Sequence, residues 1–314
     1  MTSRDLTRFP DAVHVYDGVD AVTAETIAPG ILSIDYGGSP LDILHRPRGA
    51  DTTLVIFHTA LPPRVTTYPV FSGLALAGDL SVNVVSVSDP VLSRSPDLKL
   101  GWFAGADSQP LQRDLPRVLD QIFAAQGCRN IIFFGASGGG FAAMYYSRRF
   151  PGSLAIPVNP QVVLKDYNDE ALLAYARAAF GARDLDEARR LVRDNVAGDL
   201  RPVYDGELSN TVAYMQNTKD SHHLYRHLTH FLRAVSDRDR IHLLLDDWGQ
   251  GHVPPPRWVL RAVLRECIAS EGRWATALDS LGFVRGPSPA FPVDVREGRA
   301  LVPGIPGDLE QANR

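Results

Sequence analysis

Apolar residues follow two rhythms along the chain. Short, nearly continuous apolar runs occur at ILSIDYG (31–37), LDILHR (41–46), TTLVIFHT (52–59), VNVVSVS (82–88), NIIFFGA (130–136), LAIPVN (154–159), TVAYMQN (211–217) and RIHLLLD (240–246). Most of the later runs lack alternation, which predicts strands buried on both faces of a parallel sheet. Gly-Gly-Ser-Pro separates the first two, and that turn predicts an antiparallel hairpin. Between the runs lie stretches with helical spacing: LQRDLPRVLDQIFAAQG, FAAMYYSRRF, HHLYRHLTHFLRAV and PPRWVLRAVLRECIA. The last opens on prolines, which suit a first helical turn. A hairpin followed by strand–helix alternation predicts an α/β fold.

Two regions break the rhythm. Residues 165–205 hold two helical runs, DEALLAYARAAFG and LDEARRLVRDNV, with no strand between them, as expected of a helical insertion between two sheet strands. Residues 271–314 are rich in Gly and Pro with weak periodicity, and are expected to end in a wrapping or mobile tail. Residues 1–29 carry no clear element and read as an N-terminal extension, which leaves 30–270 as the main domain.

The composition adds exclusions. The 314 residues are 45% hydrophobic and 22% charged with a net charge of −4, as in ordinary globular proteins. A mildly acidic balance gives no electrostatic reason to expect nucleic acid or an anionic membrane surface. No apolar run approaches the roughly 20 residues that span a bilayer. The opening MTSRDLTRFPDAVHVYDG lacks an apolar core, so no signal peptide is expected. Two cysteines far apart, Cys128 and Cys267, point to a reducing, cytoplasmic compartment and read as small structural residues.

The chemistry concentrates in Gly135-Ala136-Ser137-Gly138-Gly139, a G-x-S-x-G pattern between a predicted strand and a predicted helix. A serine at so sharp a turn is held in a strained conformation with its hydroxyl above the sheet edge, and side chains two residues away would clash. The following helix points its positive end at the site, and the Gly138 N–H is free to stabilise an oxyanion. The plainer readings are a packing turn with Ser137 as an N-cap, or a cradle for an anion. The dinucleotide and Walker patterns do not fit.

A serine needs a base, and the base needs an acid. His252 follows the last predicted strand in a Gly-rich loop, before a helix opened by prolines, and is the expected base. His242 lies inside that strand and reads as structural. Asp220, in the loop after TVAYMQN, is the expected acid, with Asp246 and Asp247 as competitors. Asp220 would also suit an N-cap of the next helix, and one residue is expected to do only one of these jobs. The second oxyanion donor is expected from the backbone of Thr59 or Ala60, with the His58 side chain orienting that loop. Trp102 and Phe103, in the long connection after the fourth predicted strand, are candidate substrate contacts, with plain packing as the alternative. His223, His227 and His230 flank the apolar stripe of one predicted helix. Their spacing could hold a metal, but a boundary row beside the site is the preferred reading, so no metal or cofactor is expected.

These residues resemble the α/β-hydrolase superfamily over roughly 30–270. The runs FGASGGGFAAMYYSRRFP, VNPQ (158–161) and GWFAG (101–105) look like a bacterial branch associated with surface glycan biosynthesis, similar in outline to the accessory-secretion glycan O-acetyltransferase. The resemblance implies a mostly parallel eight-stranded sheet flanked by helices, a helical lid at about 165–205, a Ser137–Asp220–His252 triad, an oxyanion role for Gly138 and no cofactor. Its common pattern has glycine after the loop histidine, where this chain has His58-Thr59-Ala60. The expected activity is serine esterase chemistry through an acyl-enzyme on a small-molecule or glycan ester. O-acyl transfer to a glycan, or a non-catalytic scaffold of the same fold, are the alternatives. Association into a homo-oligomer stays open.

Overall fold

A computed structural model describes residues 3–287. In chain order the strands are β1 (Ser3–Arg4), β2 (Val13–Tyr16), β3 (Gly30–Ile34), β4 (Leu41–Arg46), β5 (Thr52–Phe57), β6 (Thr67–Tyr68), β7 (Asn83–Val87), β8 (Asn130–Ala136), β9 (Leu154–Val158), β10 (Thr211–Asn217), β11 (Ile241–Asp246) and β12 (Val284–Arg285). The α-helices are α1 (Leu74–Ala77), α2 (Leu111–Gln126), α3 (Gly138–Ser147), α4 (Asp169–Phe180), α5 (Leu185–Asn195), α6 (Ser221–His223), α7 (Thr229–Ala234), α8 (Arg257–Ala269) and α9 (Trp274–Ser280).

All eight predicted strands form, and they lie side by side in the order β3-β4-β7-β5-β8-β9-β10-β11. Every pair from β7 to β11 is parallel, while β4 runs antiparallel to both β3 and β7. Two short edge strands extend the sheet to ten: β2 beside β3 and β12 beside β11. Both come from the terminal extensions, and both are too short to leave a periodic signature.

Along each central strand successive side chains enter opposite layers. Val55, Phe57 and Phe133 pack with α2, α3 and the helical insertion. Leu54, Ile56, Ile132 and Phe134 pack with α1, α8 and α9. Both layers are apolar, so the strands read as continuous apolar runs. The insertion follows β9, the sixth strand of the predicted eight. Asn168 caps the start of α4 by accepting the Ala171 N–H, and Gly181 ends the helix at φ 72°.

The helix predicted over 222–235 forms over 221–234, but it is not α-helical throughout. Between α6 and α7 the chain makes a π-helical turn, Leu224–Leu228, where Thr229 Oγ1 donates to the Leu224 carbonyl. Of the C-terminal region, α9 and β12 are described; the expected tail lies outside the described residues. Among the described residues no helix is long and apolar enough to cross a membrane. Neither cysteine is in a disulfide; Cys267 is buried in α8 and Cys128 is half-buried.

Candidate active site

Ser137 joins β8 to α3 with φ 55° and ψ −118°, outside the regions favoured by side-chain-bearing residues. The cause is the crossing of two backbones. A Cβ on Gly135 would sit 2.2 Å from the Gly139 carbonyl oxygen, and one on Gly139 would sit 2.4 Å from that of Phe57. Only hydrogen fits at either position, which accounts for both glycines of the pattern. Gly138 opens α3, so its N–H has no acceptor within the helix. Thr59 and Ala60 follow β5, the strand next to β8.

Asp220, in the loop after β10, is buried and uses both carboxylate oxygens. Oδ2 accepts from His252 Nδ1 at 2.5 Å. Oδ1 accepts from His223 Nδ1 at 3.0 Å and from the His223 backbone N–H at 3.2 Å. Asp220 is therefore the partner of His252 and the helix cap at once. Two oxygens permit both jobs, contrary to the expectation of one. Burial pushes its carboxyl up, but the bonds from His223 and His252 outweigh burial and hold it far below the usual carboxylate range. Asp246 and Asp247 are exposed and turned elsewhere: the Asp247 carboxylate lies 3.8 Å from Lys219 Nζ.

The loop carrying His252 is fastened by two buried asparagines. Asn217 Nδ2 donates to the Gly249 and Gly251 carbonyls at 2.7 Å each, and Asn159 Nδ2 donates to the Val253 carbonyl at 2.9 Å. The clamp thus holds the chain on both sides of the imidazole.

The histidine row predicted as a boundary is deeper than its spacing implied. His223 and His227 are buried and His230 is exposed. The His223 ring stacks on His252 with centroids 4.0 Å apart and planes 20° apart. Burial lowers the His223 pKa, and burial with the neighbouring His223 and His222 takes His227 down to about 2. His227 Nδ1 accepts the Val162 N–H. Among the described residues, Asp220, His223 and His252 bring ligand atoms within 4.8 Å of one another. Both Nδ1 atoms are directed at the Asp220 carboxylate, that of His252 lying 2.5 Å and that of His223 2.9 Å from Oδ2.

Ser137 itself departs from the expected triad contact. Among the described residues its Oγ is hydrogen-bonded to neither imidazole. It accepts instead from Gln161 Nε2 at 2.8 Å. Gln161 Nε2 also lies 3.0 Å from His223 Nε2, and its Oε1 accepts from Trp102 Nε1 at 3.2 Å. Gln161, His223 and the two asparagines are the residues that sequence reasoning missed as site members. The signal available was VNPQ at the carboxyl end of β9, next to the serine-bearing strand.

The remaining candidates are buried. Trp102 packs edge-on against Tyr167 and Tyr175, and Phe103 packs against Phe57 and His58. Both have φ 54°, and neither forms an open stacking platform. His58 donates from Nδ1 to the Thr59 carbonyl and accepts the Asp89 N–H at Nε2, so it orients its loop. Burial lowers its pKa to about 4 and keeps the ring neutral. A cavity of about 310 Å³ adjoins this region, lined by Ala60, Leu100 and Tyr167 among others.

No family model and no curated protein matches the chain. Solved structures do. The capsule O-acetyltransferase of Neisseria meningitidis serogroup A aligns over 83% of this chain and 99% of its own at 16% identity, with a TM-score of 0.53. The glycosylation-associated Gap123 complex of Streptococcus agalactiae aligns over 72% of this chain and 43% of its own at 17% identity, with a TM-score of 0.51. Identities this low speak to architecture alone, and together with the strand order they establish that this chain has the α/β-hydrolase fold.

Proposed function

We propose that this protein is a serine enzyme of acyl transfer, with Ser137 as nucleophile, His252 as base and Asp220 as the acid that orients it. The observation that carries the reading is the 2.5 Å bond between Asp220 and His252, at strand ends beside a serine in a strained strand-to-helix turn. Asp220 accepts a hydrogen bond from the His252 Nδ1–H, which leaves Nε2 as the nitrogen free to accept a proton. The Ser137 hydroxyl directs its proton toward that nitrogen while its oxygen goes on accepting from Gln161, and the serine–histidine contact tightens when substrate binds. His252 then removes the hydroxyl proton, Oγ attacks the ester carbonyl, and the N–H groups of Gly138 and of Thr59 or Ala60 receive the oxyanion. Water resolves the acyl-enzyme in an esterase. A cytoplasmic placement belongs to the same reading and is supported by the two free thiols.

Transfer of the acyl group to a glycan hydroxyl is the second reading. Ser137 is only 3% exposed, beneath side chains that include Trp102 of the GWFAG run and beside a helical insertion proposed as a lid. A secluded serine favours a bound acceptor over bulk water. The O-acetyltransferase similar in fold acts on capsule by its name, and it supports this reading by analogy only. The test is intact-mass spectrometry after a fluorophosphonate probe. One adduct on the wild type, absent from Ser137→Ala, is the expected result. A folded wild type that takes no adduct would leave the fold without the chemistry.

A further inference from the structure

The partner that Ser137 does have is a carboxamide with no freedom to turn over. Trp102 Nε1–H can only donate, so the atom of Gln161 facing it is the oxygen. The nitrogen therefore faces Ser137 and His223 and offers one hydrogen to each. His223 Nε2 accepts because its Nδ1–H is already given to Asp220. Gln161 is fully buried, and its backbone N–H also points to the Ser137 carbonyl at 3.4 Å. Every polar atom of the side chain is thus assigned, and an N–H is fixed on the reacting oxygen.

We propose that Gln161 is a catalytic residue for breakdown of the acyl-enzyme, donating its Nε2–H to Ser137 Oγ as that oxygen leaves the acyl carbon. The inference rests on Ser137 being the nucleophile. In the second half-reaction an acceptor hydroxyl attacks the acyl carbon and gives its proton to His252 Nε2. The tetrahedral intermediate then collapses, the C–Oγ bond breaks, its electron pair goes to Oγ, and the proton on His252 passes to Oγ. An ester oxygen is a weak hydrogen-bond acceptor and a departing alkoxide is a strong one, so the Gln161 bond strengthens toward the transition state. In acylation the resting hydroxyl already accepts that bond, and the gain is smaller. Loss of the donor therefore slows the second half-reaction more than the first.

The experiment follows p-nitrophenyl acetate in stopped flow, with intact-mass analysis of quenched samples, for wild type and Gln161→Met. Q161M keeps the shape and removes the donor. It is expected to acylate within about threefold of wild type and to release its acetyl group roughly 10- to 100-fold more slowly. Acetylated Ser137 then accumulates and the nitrophenol appears in a burst. Gln161→Ala reads the same ratio if the thioether disturbs packing. Equal loss in both half-reactions, breakdown within about twofold of wild type, or turnover faster than wild type each overturns the proposal; the last would make Gln161 a brake. A wild type that is neither acetylated at Ser137 nor labelled by fluorophosphonate defeats the nucleophile reading itself. A wild type that acetylates and deacetylates beside an unaffected Q161M defeats this inference alone.

Discussion

Two imidazoles share one carboxylate here, and their free nitrogens have different duties. His223 Nε2 is occupied by the Gln161 amide, so it is not available to take the serine proton. His252 Nε2 has no such partner among the described residues, and its side chain is 38% exposed. His252→Ala is therefore expected to lower kcat on p-nitrophenyl acetate by roughly 10³-fold, within the range for losing a general base. His223→Ala is expected to cost about tenfold, through slackened orientation of Asp220 and Gln161. Steady-state kinetics on both variants checks this, and the reverse ranking would transfer the base role to His223. The sharp turn at Ser137 and the contact between Asp220 and His252 were legible in the sequence because they follow from chain position: a strand-to-helix turn, then two loops after successive strands. Gln161 and His223 were not. The role of Gln161 depends on which residue its amide oxygen meets, and that residue, Trp102, lies 59 positions away. His223 is buried by its contacts with Asp220, Gln161 and His252, which come from the cap of its own helix and from two other segments of the chain.

At the level of elements, the eight strands were legible because burial on both faces leaves uninterrupted apolar runs. The loops between them were legible only in outline. What fixes the His252 loop is a pair of asparagines at the ends of β9 and β10, in positions that from sequence read as strand terminations. Asn217 alone supplies two N–H groups to that loop and accepts the backbone N–H groups of Lys219 and Trp248 at 3.2 and 3.1 Å. Asn217→Ala removes the partner of the Gly249 and Gly251 carbonyls and of the Lys219 and Trp248 N–H groups, at about 1–3 kcal/mol of stability. It also lets the loop drift, so kcat is expected to fall about 10- to 100-fold while KM changes little, because a misplaced base weakens the transition state more than binding. Urea denaturation and steady-state kinetics measure the two effects separately. Normal kcat in a destabilised variant would make the clamp structural only. Asn217→Asp is expected to be the harsher change: the oxygen that receives Lys219 and Trp248 is kept, but a carboxylate oxygen is set against the Gly249 and Gly251 carbonyls.

Across the whole molecule, the loops after β5 and β7 carry two buried groups that titrate in opposite senses. The Asp89 carboxyl is pushed up to about 7 by burial, only partly offset by the N–H groups of Phe103 and Val91. His58, which receives the Asp89 N–H, is lowered to about 4 by burial. An acid whose folded pKa is raised contributes stability that is full below its unfolded value near 4 and lost as pH climbs through about 7. A histidine whose folded pKa is lowered contributes stability that is full above its unfolded value near 6.5 and lost as pH falls toward about 4. Across that window the two slopes oppose one another, and the wild-type stability curve is flattened. Asp89→Asn removes one slope and leaves the other, so the stability of the variant relative to wild type rises with pH. The rise between pH 4.5 and 7.5 is at most about 4 kcal/mol, from a shift of about three pH units. Urea denaturation of both proteins at the two pH values measures it, and a constant offset would mean that Asp89 ionises alike in the folded and unfolded chains. The same carboxylate accepts the Phe103 N–H beside Trp102, which holds the Gln161 oxygen. Ionisation of Asp89 strengthens that bond as pH rises, so stability is given up over the same range in which the loop that steadies Gln161 is held most firmly.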